Sequence, residues 1–475
     1  MSMLTRLRVV ALVVMILAGG AIVDRVVGRA PAPSPALPPP AEAAVVAGRG
    51  SQSAEWACPG GTGRTGLAPA LIVMTNGSTR PVGGTLTAVS STGARRTETI
   101  SVPAASQVTA IPADMVTGAW VAASVLLDGG GVGVSEEVSG SPGWGVAACA
   151  STAAASWYFA GGSTGSGRSL YLALFNPGVT DAVVDISFAA PTGVSEPPAD
   201  QGVIVNPGAL TVLNVGNHVL NEPRLATSVR ALSGSVVASE TEIPRPGLPN
   251  GIGLTLGSPL AATAWSFPQT TDQAGSYVAF NIFNPSSRPA RVKARFAIAG
   301  GLRSTLTVEV ASGSQKVLYT TGQARIPPGT SFASTFVSTR GVGVVIDRNV
   351  LAPPGAPPPR FGVTGGAVAG ARTWLVPAVP APGAGPWTLA VQDLAGRPVQ
   401  VTVLALEDGQ QVPIGSLDGL RVRAAEPLII GPKPGPPVGR VPLLLRADGP
   451  VVVSFDVLPS GSPGVVSLPA IPIAD

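Results

Sequence analysis

Residues 170–188 read LYLALFNPGVTDAVVDISF, and residues 277–296 read YVAFNIFNPSSRPARVKARF. Each stretch is an apolar run, a turn opening on Asn-Pro, and a tail in which apolar residues alternate with others. Alternation with period two marks a half-buried strand, because successive side chains leave opposite faces of a pleated backbone. Asn176-Pro177-Gly178 supplies a side-chain acceptor, a preset φ and a residue that tolerates positive φ, which predicts a tight turn between two long strands. A hairpin written twice predicts a repeated β-unit.

The repeat extends beyond the hairpin. Tryptophans stand at nearly even intervals, at Trp56, Trp157, Trp265 and Trp374. A turn residue follows each at a nearly constant remove, at Asn76, Asn176, Asn284 and Asp393. The next strand has an inward set in each unit: Gly84, Leu86 and Ala88; Val184, Ile186 and Phe188; Val292, Ala294 and Phe296; Val401, Val403 and Ala405. Small-apolar runs end in an acid at Glu136, Glu240, Asp347 and Asp456, again at nearly one distance past the tryptophans. A large apolar residue and a glycine, Trp144-Gly145, Ile252-Gly253 and Phe361-Gly362, precede the next tryptophan by the same interval each time.

A period of about 105 residues is too long for a solenoid and suits tandem independent domains. The second unit contains about seven strand-like segments, with IGLTLG at 252–257 as a candidate eighth. That density of short strands and turns predicts an all-β chain of four tandem Ig-like antiparallel β-sandwich modules, at 54–150, 151–258, 259–368 and 369–475. The 60 glycines and 49 prolines, spread among short Val, Leu, Ile and Thr runs, agree with this and would punctuate helices too often.

The N-terminus carries an export address. Arg6 and Arg8 precede an apolar run from Val9 to Val23, followed by Asp24, Arg25 and the Pro/Ala-rich APAPSPALPPPAEAA. Residues 1–28 are expected to be a signal peptide or membrane anchor helix and 29–53 a Pro/Ala-rich linker. The Val9–Val23 run spans about 22 Å as helix, short of a hydrocarbon core of about 30 Å, so cleavage and anchoring both stand. In either case the rest of the chain is expected outside the membrane, anchored or secreted. Cys58 and Cys149, with no CxxC, predict a structural disulfide in an oxidising compartment, closing the ends of the first module.

The chemistry expected is sparse. A net charge of +4 without a Lys/Arg stripe argues against nucleic acid, and Arg291, Lys293 and Arg295 have the spacing of an outward strand face. The chain has one histidine, His218, in a turn-rich loop, so a histidine-based triad or a His/Cys metal site is not expected. Glu136-Glu137 and Glu240-Thr241-Glu242 are the candidate hydrolytic carboxylates, but an acid recurring at one place per module predicts a structural task such as capping a strand end or pairing with arginine. The repeated tryptophans could stack on sugars, although equal placement favours core plugs. Trp120, Trp144 and Trp387, tryptophans not repeated at one station, are the better candidates for surface contacts. GGSTGSG at 161–167 lacks the GK[ST] and helix of a phosphate loop. No cofactor and no catalytic residue are expected.

WYFAGGSTGSGRSLYLALFNPGVTDAVVDISF at 157–188 resembles the repeat of an uncharacterised actinobacterial secreted or membrane-anchored family, a domain of unknown function with a W-Y-F-A-x-G-x-T opening and an F-N-P turn. The third module keeps FNP but opens WSFPQTT, and the fourth has Asp393-Leu394 in place of Asn-Pro. The resemblance implies an extracytoplasmic envelope protein and supplies no catalytic residue. Expected partners are envelope proteins or cell-surface glycans.

Overall fold

The computed structural model describes residues 43–48, 50–245, 250–272, 277–298, 303–320, 323, 326–327, 329–352, 360–378, 387–424, 426–431, 440–457, 466–468 and 470–474. The expected signal or anchor helix and the proline-dense part of the linker lie outside these residues. Residues 41–475 form one compact unit.

The first module sets the pattern. Its strands are β1 (Ala54–Thr62), β2 (Ala70–Asn76), β3 (Val82–Ser90), β4 (Arg95–Val102), β5 (Ser106–Ala110), β6 (Trp120–Leu127), β7 (Val132–Gly140) and β8 (Gly143–Ala148). They form two antiparallel sheets, β1-β6-β3-β4 and β5-β2-β7-β8, with Trp56, Ile72, Leu86, Val125 and Val134 in the core between them. One helical turn, Pro112–Met115, packs at the edge.

The same order of pairing recurs three times. In the second module the counterpart of β4 is split into Gly193–Ser195 and Val203–Val205, and in the fourth into Gln410–Pro413 and Leu420–Val422. In the fourth the counterparts of β6 and β7 run on as one strand, Leu443–Val457, which joins both layers into a nine-stranded sheet. The predicted inward sets are buried in all four modules. IGLTLG does hold an eighth strand, Gly253–Leu256. Arg291 and Arg295 lie exposed on an outward face, as their spacing predicts.

The modules are not independent. Ala57, Val89, Ala122 and Ala150 of the first module belong to the core of the second, and Ala160, Ala189 and Ala226 of the second belong to the core of the third. Leu375, Leu404 and Leu444 of the fourth pack into the core of the first, while Trp144 and Val146 of the first pack into the fourth. Sequence periodicity records that a strand is apolar on both faces but not which neighbour covers the second face. Trp144 and Trp387, expected at the surface, are buried, and Trp120 packs its ring 4.8 Å from Tyr171 of the second module.

The order of contact is cyclic. The four last strands, β8, Gly253–Leu256, Arg360–Gly365 and Val466–Leu468, each touch the next, and the last touches β8. Gly145 permits that approach, since a Cβ there would stand 2.4 Å from the Ile252 carbonyl oxygen. The two ends of the described chain meet: Val46 N–H donates to the Pro472 carbonyl at 2.8 Å, and Ala474 N–H to the Val46 carbonyl at 2.9 Å.

Candidate functional site

Several of the buried polar side chains lie at the junctions between modules, and the first strand of each unit explains why. A bulge interrupts β1 between Cys58 and Gly61, and equivalent bulges lie between Phe159 and Gly162 and between Phe267 and Thr270. A bulge leaves backbone groups unpaired, and burying them without partners would cost about 1–3 kcal/mol each. The Gly60 N–H donates to Glu136 of its own module at 2.9 Å, and the Gly60 carbonyl accepts the hydroxyl of Thr241 from the second module at 2.9 Å. The Ala160 and Gly161 N–H groups donate to Asp347 of the third module at 2.7 and 3.2 Å, while the Gln315 amide donates to the Ala160 carbonyl. Gln107 has the same place in the first module as Gln315 in the third. It binds Ala378 of the fourth module, accepting at 2.8 Å and donating at 3.3 Å. Arg348 of the third module donates to Ser467 of the fourth at 2.7 Å and lies 3.4 Å from Asp456. Each of the four junctions thus carries polar contacts from one module to the next, and the ring closes.

Strand register corrects the reading of the recurring acid. Four residues before each module's turn residue stand Ile72, Leu172, Phe280 and Leu389, which lie opposite Glu136, Glu240, Arg348 and Phe455. Only the first two acids share a place. Glu136, Glu240 and Arg348 reach across their own sandwiches, to Gly60, to the Thr227 hydroxyl at 2.6 Å and to the Gln269 carbonyl, whereas Asp347 and Asp456 fall one residue either side and face the neighbouring module. A one-residue offset reverses the face, and spacing along the chain cannot detect it where loops differ in length.

Burial pushes these carboxyls upward: Glu136 to about 7, Glu240 to about 8 and Asp347 to about 6. Hydrogen bonds to Gly60 and Gly61 oppose the rise in Glu136, and Ala160 and Gly161 oppose it in Asp347. The Thr227 bond opposes it in Glu240, while the nearby charges of Asp347 and Glu242 add to it. Glu137, beside Trp144, is raised to about 7, again by burial first. Burial also raises Glu242, held down in part by its ion pair with Arg168. Glu136 and its strand neighbour Glu137 point to opposite faces, whereas Glu240 and Glu242 share a face, with Glu242 engaged by Arg168. His218 Nδ1 lies 2.9 Å from Asp200, away from these junctions. Among the described residues no cluster of three or more His, Cys, Asp or Glu is placed to hold a metal ion.

The four repeated tryptophans occupy like surroundings. Trp56, Trp157, Trp265 and Trp374 are at most 3% exposed. Three indole N–H groups donate to a carbonyl on or just before the counterpart of β7: Trp157 to Val236 at 2.7 Å, Trp265 to Val344 at 2.7 Å and Trp374 to Val451 at 3.0 Å. The Trp56 N–H has no partner among the described residues. The turn asparagines do more than their sequence predicts. Besides accepting the N–H two residues on, Asn76, Asn176 and Asn284 donate across the sandwich to Val102, Val205 and Val310 at 3.0, 2.8 and 3.2 Å. Asp393 accepts from Ala395 and Gly396 but, as a carboxylate, has no proton for the second bond. Cys58 and Cys149 form the predicted disulfide, with Cα atoms 4.8 Å apart.

Two cavities accompany the junctions. One, of about 190 Å³, is lined from all four modules, including Val146, Leu254, Phe267, Trp374 and Val453 with Arg348 at its wall. The other, of about 180 Å³, opens between the second and third modules.

The class so defined is a closed repeat protein of all-β sandwich modules with a buried disulfide. Residues 129–322 match the family model of DUF5719, a family of unknown function, over the end of the first module, the second and most of the third. No curated protein matches the chain. Among solved structures, Thermotoga maritima 1070 is 20% identical over 22% of this chain and 93% of its own, with a TM-score of 0.20. A tetra-tandem repeat from the extending region of a large adhesion protein is 13% identical over 85% of this chain and 95% of its own, with a TM-score of 0.10. At such scores neither likeness bears on fold or role.

Proposed function

We propose that the chain is a non-enzymatic extracytoplasmic envelope protein, a closed body of β-sandwiches that offers faces and strand edges to partners in cell-surface assembly. Residues 1–28 would export or anchor it and the Pro-rich linker would hold it off the membrane as a semi-rigid spacer. The observation that carries this reading is the use made of the polar side chains. The buried acids and arginines at the junctions satisfy bulges or pair with one another, which is the work of a scaffold. The Cys58–Cys149 disulfide supports an oxidising compartment. Crosslinking intact cells and recovering the chain tests the scaffold reading: an envelope protein partner is expected, and a cytosolic, reduced chain without one would refute it.

A second reading, a glycan-binding or adhesive array, is favoured by one observation. Tyr277 is 41% exposed and its ring centroid lies 5.2 Å from that of Tyr319 at the mouth of a cleft.

A further inference from the structure

At the cleft between the second and third modules the repeat departs from itself at two places on one strand. Ala279 stands five residues before Asn284, the place that Tyr171 has before Asn176. At the junction of the first and second modules Tyr171 fills the corresponding space against Trp120. At the next junction the alanine leaves it open, giving about 180 Å³, room by liquid volume for about six waters.

The same strand carries a second departure. Three residues before the turn residue the modules have Val73, Ala173, Asn281 and Ala390. Asn281 lines the cleft at 4% exposure, and its amide nitrogen has no hydrogen-bond partner among the described residues. Opposite Ala279 on the neighbouring strand, Asn349 also lines the cleft, and its carbonyl oxygen is buried without a partner among the described residues. An unmet donor and an unmet acceptor buried in the wall of one cavity, the donor against Gly161, are costly features, of the kind that a ligand would satisfy.

The walls define the ligand's chemistry. Tyr277 and Tyr319 present aromatic surface, and burial together with the hydrogen bond to Tyr319 raises the Tyr277 pKa, keeping it a neutral phenol. The charge of Arg168 is taken up by Glu242, and its guanidinium lies 4.1 Å from the centre of the Phe361 ring. Arg224 lines the cleft near Tyr277. Aromatic faces, one free donor, one free acceptor, a neutralised ion pair and the guanidinium donors of Arg224 suit a small ring whose hydroxyls both donate and accept and whose C–H face is apolar.

We propose that this cleft binds a single pyranose ring of a carbohydrate, with Asn281 and Asn349 bonding its hydroxyls and Tyr277 and Tyr319 against its face. This gives the glycan-binding reading a place and a ligand class, and it is independent of the scaffold reading, which the crosslinking experiment tests by itself.

The test is saturation-transfer NMR on the full chain with methyl glucoside, methyl galactoside, methyl mannoside and N-acetylglucosamine, with acetate as a simple anion. At least one sugar should bind. Asn281→Ala, which restores the residue found in the second and fourth modules, should weaken it tenfold or more without lowering the melting temperature. Ala279→Tyr should abolish it by filling the space as Tyr171 does. If Ala279→Tyr fails to fold, Asn281→Ala decides alone. Absence of binding by every sugar, binding indifferent to Asn281→Ala, or acetate competing as well as the sugars would each overturn the proposal.

Discussion

At the scale of single residues, the turn asparagines show how one side chain can do two jobs. Asn176 accepts from Gly178 within the turn and donates to Thr180 and Val205, so its amide nitrogen fixes where the split fourth strand returns. Asn176→Asp keeps the acceptor and removes the donor. It is expected to cost about 1–3 kcal/mol in urea unfolding because buried carbonyls lose their partner, while Asp393→Asn, at a place already built around a carboxylate, should change little. Glu240 makes a second prediction. Its folded pKa, about 8, lies above its unfolded value, so the folded state holds the proton more tightly. The stabilisation is full below the ordinary carboxyl range and is lost as pH rises through about 8. Melting temperature should therefore fall between pH 5 and pH 8, and Glu240→Gln, neutral throughout, should flatten that fall. A melt that rises over this interval in the native chain would contradict the burial of these acids.

At the scale of elements, the large-apolar-plus-glycine pair before each tryptophan was legible as a pattern but not as a purpose. Its glycine lets one last strand pass close to the next. Gly145→Val would drive side-chain atoms into the Ile252 backbone, and the expected loss is about 1–3 kcal/mol or more, read as a lowered urea midpoint. The β1 bulge has a similar history. CPGG, FAGG and FPQT in the first three modules give no sign in sequence of an interrupted strand beyond their Gly and Pro content. Only the pairing register exposed it, and with it the reason that Glu136, Asp347, Thr241 and Gln315 are where they are.

At the scale of the whole molecule, shared cores replace the independent domains that a long period suggests. Leu375 and Ile471 of the fourth module pack with Trp56 and Ile72 of the first, so neither module completes its core alone. Calorimetry on the full chain is expected to give one endotherm with equal calorimetric and van't Hoff enthalpies. Four resolved transitions would mean that the modules unfold separately. The disulfide adds a second expectation. Closing a loop with a sequence separation of 91 residues contributes up to about 4.6 kcal/mol by loop entropy, so Cys149→Ser, or reduction, should lower the melting temperature of the entire body and not of the first module only.

Amino-acid order alone sets the local fold: which residues alternate, where hairpins turn, where the tryptophans enter the core and which cysteines pair. These are readable because they follow from the two-residue pleat, from turn chemistry and from repetition within one chain. Tertiary structure alone decided the closure of the four modules upon one another, the face each acid occupies, the burial of Trp144 and Trp387, and the open cleft at Ala279 and Asn281. Those depend on contacts between residues far apart along the chain and on strand offsets of a single residue, which burial patterns along a chain do not encode.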